Sequence, residues 1–273
     1  MSDFLDKQGR LSRERVIAAR ARRPEAGLLA EAEASAGPLP LHLDRFDLIA
    51  ELKLRSPAVG GLATADFDRK AQLRAYAAGG AAAVSVLTEP TQFEGSLAHL
   101  REAAEILNPL GVPVMRKDFL IDPYQLIEAR ANGASGALLI AAMLDDHVLG
   151  EMLDCAARLG LFILLEAFDA ADLARINDCV TVSQDPTGAA VLAGVNCRNL
   201  RTLAVDFDRF LKLAEHLPGH LPTVAESGIA SITDIRKVAG AGYQLALVGS
   251  SLMQSGSTAQ TAKAFIDAGR ESI

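Results

Sequence analysis

The sequence predicts a (β/α)8 TIM barrel with an N-terminal helical extension, and three observations carry that prediction. Eight short apolar runs, at residues 48–52, 82–87, 112–115, 137–142, 161–165, 191–195, 222–225 and 244–248, each leave room for one helix before the next. Glycines at Gly79-Gly80, Gly133, Gly160 and Gly242 close helical stretches just ahead of a strand, where a left-handed cap is expected. No Gly-rich dinucleotide fingerprint follows the first run, which disfavours an open doubly wound sheet. The length agrees, since 273 residues is close to the ~250 of a single eight-unit barrel.

Residues 1–47 read as the extension and 48–273 as the barrel. A helix is expected over 11–21, with Arg10, Arg13, Arg15, Arg20, Arg22 and Arg23 around it. Asp3, Asp6 and Glu14 dilute that charge, so a solvated amphipathic helix leaning on the domain is expected rather than a basic arm. Residues 25–40 read as a second polar helix and a Gly-Pro linker. The first strand lies in the stretch LIAELKLRSPAVGG at 48–61. Glu51 and Lys53 are two positions apart, so on a strand they project from one face. Ser56-Pro57 then ends the strand, because Pro57 has no N–H for a ladder, and Gly60-Gly61 allow the loop to lie close to a ligand. Helix starts are equally readable. Asp122-Pro123 sets a capping acid before Pro at the first helical position, and Ser231 with Asp234 fits a capping box.

Composition narrows the function class. The net charge of −7 argues against nucleic acid. Three scattered Cys (Cys155, Cys179 and Cys197) form neither a disulfide framework nor a zinc site, and the five His lack ligand spacing, so no metal is expected. No run nears the ~18 apolar residues of a membrane span, and no signal peptide opens the chain. The expectation is a cytoplasmic protein with no membrane partner, and a monomer by default.

Active sites of such barrels sit where strands end and βα loops begin. The ends here offer Glu51 and Lys53, Thr88-Glu89, Arg116-Lys117-Asp118, Glu166, Asn196 with Arg198, Glu226-Ser227-Gly228, and Gly249-Ser250-Ser251. The fourth, ending in Ala141-Ala142, offers little. Lysines and glutamates gathered at one mouth imply a mixed acid–base pocket. Ser227-Gly228 and Gly249-Ser250 occupy the region where many barrels bind phosphate through backbone N–H groups. With Lys53 and Arg198 nearby, a small phosphorylated substrate is expected.

These residues carry a family resemblance. IAELKLRSPAVGG, SVLTE, PVMRKDFLIDPYQLIEAR, LLEAF, AGVNCRNL, VAESGI and ALVGSSLM stand in the order and spacing of the indole-3-glycerol-phosphate synthases. The resemblance covers about 48–253. It implies an enzyme of tryptophan biosynthesis that converts 1-(2-carboxyphenylamino)-1-deoxyribulose 5-phosphate to indole-3-glycerol phosphate, losing CO2 and water, with no cofactor.

Residue by residue, the resemblance makes Lys117 the general acid on the ribulose carbonyl oxygen and Glu166 the general base. Glu51 and Lys53 match the first-strand pair, with Lys53 toward the substrate carboxylate and active in dehydration. Asn196 and Glu226 hold sugar hydroxyls and the lysine side chains. Ser56, Ser227, Gly228, Gly249 and Ser250 resemble the phosphate cradle, with Arg198 nearby. Phe93, Phe119, Leu200 and Leu247 would wall the anthranilate ring. Lys53 should push the Lys117 pKa down while Glu51 and Glu166 oppose it.

Some positions depart from the family. Lys53-Leu54-Arg55 stands where Lys-Arg is common, Ala167-Phe168 where Val-His is common, and the segment 179–190 is longer than usual. A divergent paralogue in a specialised indole pathway is one alternative. A non-catalytic phospholigand-binding barrel is another, but it would be expected to lose Lys117 or Glu166. Phosphoribosylanthranilate isomerase, a third, wants a Cys base at the first strand and an Asp acid at the sixth, where this chain has Glu51-Lys53 and Asn196-Cys197.

Overall fold

Alternation along each strand decides what faces the barrel axis. In a computed structural model describing residues 3–56, 60–61, 67–182, 190–199, 202 and 204–273, eight parallel strands close into one barrel. They are Asp47–Leu52, Ala83–Leu87, Val114–Lys117, Gly136–Ile140, Phe162–Ala167, Val191–Asn196, Thr223–Glu226 and Leu245–Val248. The first pairs with the eighth through Ile49 and Leu247 and with the second through Glu51 and Ser85, which completes the ring. All eight apolar runs are strands. The third lies further along than its run, because Arg116 and Lys117 continue the ladder opposite Val86 and Leu87.

Two buried clusters separate by parity. Ile49, Met115, Leu138, Leu164, Leu192, Val224 and Leu245 pack together inside the barrel. Leu48, Ala50, Val84, Leu139, Ile163 and Ala225 pack outward against the helices. The sequence-predicted caps are in place: Asp122 accepts from the N–H of Tyr124 with Pro123 at the helix start, and Ser231 with Asp234 forms a capping box. Gly80, Gly133, Gly160 and Gly242 all have positive φ, as the stop signals require.

The extension differs from expectation in length and in how it is held. Helix α1 spans Asp3–Arg22 and α2 spans Glu25–Ala34. The buried face of α1 is Leu5, Gln8, Ser12 and Val16, and its two central positions are polar, so hydrophobic periodicity did not reveal the first turns. Polar bonds dock it. Ser12 donates to the Phe119 carbonyl at 2.5 Å. Arg15 reaches Asp118 with two bonds of 2.8 and 2.7 Å. The helix therefore lies against the loop that follows the third strand, at the barrel mouth. Among the described residues no helix is long and apolar enough to cross a membrane.

Candidate active site

Above the apolar interior, the same alternation delivers charge. Inward positions recur every second residue, so Ile49 is followed inward by Glu51, Met115 by Lys117, Leu164 by Glu166, and Val224 by Glu226. Lys117 is the hub. Its ammonium lies 3.0 Å from Glu226 Oε2 and 3.5 Å from Glu51 Oε1. The second Glu51 oxygen takes Lys53 at 2.6 Å. A chain of alternating charge, Glu226–Lys117–Glu51–Lys53, thus runs across the mouth. The Tyr76 hydroxyl, donating to the Glu51 carbonyl at 2.9 Å, fixes its first-strand end.

Burial and charge compete at each member. Burial alone pushes the Glu51 carboxyl up, but the two ammonium groups and their hydrogen bonds bring it down to about 2. Burial would lower Lys117, but Glu226, Glu51 and Glu166 outweigh it and hold its pKa above the ordinary lysine value. The expected downward push from Lys53 is therefore overruled: three carboxylates converge on one ammonium. Glu166 moves the other way. Desolvation, then the Glu226 charge, raise it to about 8 against the opposing pull of Lys117 and Asn196. Among the three glutamates around Lys117, Glu51 is thus held ionised while Glu166 is biased toward its protonated form, so neighbouring carboxyls are pushed apart in pKa by their surroundings.

One end of the cavity is built from turns rather than side chains. Ser227 and Gly228 have φ of 70° and 71°, a left-handed pair that is uncommon for a serine and presents backbone N–H groups as anion-binding turns do. A Cβ on Gly228 would meet Val205 at 2.5 Å and Cys197 Sγ at 3.0 Å, so a larger residue would displace the turn. Ser250 begins the short helix Ser250–Met253, leaving its first N–H groups without helical partners. Arg198 also lines the cavity, and its N–H donates to Asn196 Oδ1 at 2.9 Å.

The other end is apolar. Phe93 and Phe119 lie 6.4 Å apart and tilted, with Leu247 also on the wall. Phe4, whose ring meets Phe119 edge-on at 5.8 Å, is not among the residues the sequence marks, because the polar buried positions Gln8 and Ser12 hide the first turns of α1. Nor are Leu138 and Ile140, which form an apolar floor at the fourth strand. Alternation from the run at 137–142 could have marked both. The Ser56 backbone pairs with Gly60. Its side chain, Leu200 and the segment 183–189 lie outside the described residues.

Gly249 shows why a strand end must lack a side chain. A Cβ there would come within 2.4 Å of Glu51 Oε2 and 3.1 Å of Lys53 Nζ. The expected role of Gly249, backbone approach to phosphate, is joined by a second: leaving room for the ion pair. Gly249→Val should therefore raise KM strongly and lower kcat as well, in a variant whose circular dichroism melt remains cooperative. Unchanged kinetics in such a folded variant would remove both roles.

Comparison with known proteins meets this geometry. The family model described as indole-3-glycerol phosphate synthase matches residues 12–265. The chain is 42% identical over 218 residues to the indole-3-glycerol phosphate synthase of Lacticaseibacillus paracasei, covering 80% of this chain and 79% of that one. It is 42% identical over 241 residues to that of Leifsonia xyli subsp. xyli, covering 86% and 88%. Among solved structures, 3-hexulose-6-phosphate synthase from Salmonella typhimurium aligns with TM-score 0.63 at 13% identity, over 84% of this chain and 100% of that chain, which shows the barrel alone. On the span of the family model and the identity to these relatives, the chain belongs to the indole-3-glycerol phosphate synthase family.

Proposed function

We propose that residues 48–273 form the catalytic barrel and residues 1–47 its extension, and that the chain is a carboxy-lyase. Its substrate is 1-(2-carboxyphenylamino)-1-deoxyribulose 5-phosphate. The observation that carries this reading is one half-buried ammonium, Lys117, held by Glu226 and Glu51 between an apolar wall and an anion-shaped turn. With phosphate at Ser227, Gly228, Gly249 and Ser250 and the aromatic ring against Phe93, Phe119 and Leu247, the reacting carbonyl lies near Lys117.

The aryl carbon bearing the carboxylate attacks the ketose carbonyl as Lys117 gives that oxygen a proton. Loss of CO2 returns its electron pair to the ring and restores aromaticity. Lys53 then assists departure of the oxygen as water while Glu166 takes the proton released from the new ring. Asn196 and Glu226 orient hydroxyl and ammonium groups throughout. Positioned donors and acceptors of this kind are each worth ~10²–10⁴ in rate.

The test is direct: supply the substrate and follow indole fluorescence together with CO2 release. Fluorescence and CO2 rising in equal amounts support the reading, and neither rising rejects it. Cys197 separates this reading from a thiol mechanism. It is fully buried, and burial above all raises its thiol to about 12, so it is no nucleophile at neutral pH. Cys197→Ser should keep most activity, since a hydroxyl can still donate to the Ser227 carbonyl as the thiol does at 3.3 Å. A hundredfold or greater loss, of the order of a missing acid or base, would revive the isomerase reading.

A further inference from the structure

Glu89 ends the second strand, yet nothing in the proposed chemistry uses it. It is 1% exposed and lines the active cavity. Among the described residues no Lys or Arg forms an ion pair with it. Its carboxylate is instead occupied by the loop that follows. Oε1 accepts from the Thr91 N–H at 2.9 Å and the Thr91 hydroxyl at 2.5 Å. Oε2 accepts from the N–H groups of Gln92 at 2.6 Å and Phe93 at 3.2 Å. The Glu89 carbonyl also takes the Gly95 N–H, at 2.9 Å. One residue therefore closes the loop from both its main chain and its side chain.

The loop has few other means of holding its shape. No regular element lies between Leu87 and Leu97. Its return is tight, with Glu94 at φ 55° and Gly95 so close to the strand that a Cβ would meet the Leu87 carbonyl oxygen at 2.4 Å. Phe93 is the loop's contribution to the aromatic wall, and its own N–H is one of the donors. Backbone N–H groups denied a partner near an apolar cavity are costly, and bonds to an ionised acceptor are stronger and shorter than neutral ones.

We propose that Glu89 is a positioning residue whose carboxylate gathers the loop amides and thereby sets Phe93 against the aromatic end of the substrate. The assignment rests on the substrate reading given above. It predicts a defect in aromatic recognition, with phosphate recognition and the chemical step spared. In Glu89→Gln one oxygen becomes an amide donor, which must face N–H groups and cannot accept from them.

The experiment measures kcat and KM for wild type, Glu89→Gln, Phe93→Ala and the double variant, with amide hydrogen exchange over 91–96. Glu89→Gln should raise KM about tenfold, with kcat changed by no more than about threefold. It should add little once Phe93 is Ala, because a pair acting through one contact is not additive. Inorganic phosphate should bind both single variants as it binds wild type. Exchange at 91–93 should accelerate in Glu89→Gln, a readout that needs no activity and so holds even if the wild type fails on the proposed substrate. Unchanged KM, unchanged exchange, a fall confined to kcat, or full additivity with Phe93→Ala would each overturn the assignment.

Discussion

Lys117→Met should cut kcat by at least ~10², within the range expected for a missing general acid, while a product-like phosphate ligand still binds within a few-fold. The side chain is only 16% exposed and lies between two carboxylates, so no water-borne cation can take over its role with the same geometry. Methionine matches its length and leaves the proton donor missing. Lys53→Met should instead weaken binding more than Lys117→Met does, since its proposed partner is the substrate carboxylate. Indole fluorescence supplies kcat and calorimetry supplies Kd for both variants. If Lys117→Met retains more than about a tenth of kcat, well short of the expected loss, another group is the acid.

Glu166→Gln should lower kcat by a comparable ~10²–10⁴ and also abolish a pH dependence. Glu166 keeps its proton up to about 8, through burial and the neighbouring Glu226 charge. A base must be ionised to act, so kcat/KM of the wild type should rise as pH increases through that region. In Glu166→Gln that limb should vanish. The stability sign is opposite. Between the ordinary carboxylate range and about 8 the folded state holds a proton that the unfolded state has lost, so Glu166 makes the fold less stable as pH rises. Glutamine mimics the protonated form, so the variant should melt higher than wild type at pH 8.5 to 9. Thermal melts across pH check this, and a lower melting temperature there would show that the fold does not disfavour the Glu166 carboxylate.

Much of the site was legible because the barrel converts sequence parity into position. Glu51, Lys117, Glu166, Asn196 and Glu226 each stand at or near the last residue of an apolar run, and two-residue alternation sends them inward on different strands. Gly80, Gly133, Gly160 and Gly242 marked the helix ends for an equally local reason, a left-handed turn that side chains resist. Phe4 was not legible. The helix that carries it buries Gln8 and Ser12, so its inner face has no hydrophobic period to read, and its docking depends on Arg15 meeting Asp118 across 103 positions.

The order of strands and helices, the residues each strand turns inward, and the family are all written in the chain. Those follow from periodicity, capping and motif spacing, which act over a few residues. The charge states are set by the assembled barrel. Whether Lys117 is raised or lowered depends on how many carboxylates from the first, fifth and seventh strands converge on it, and Glu226 settles the balance from 109 positions away. Electrostatic energies depend on separation in space and on burial, and both are properties of the closed barrel.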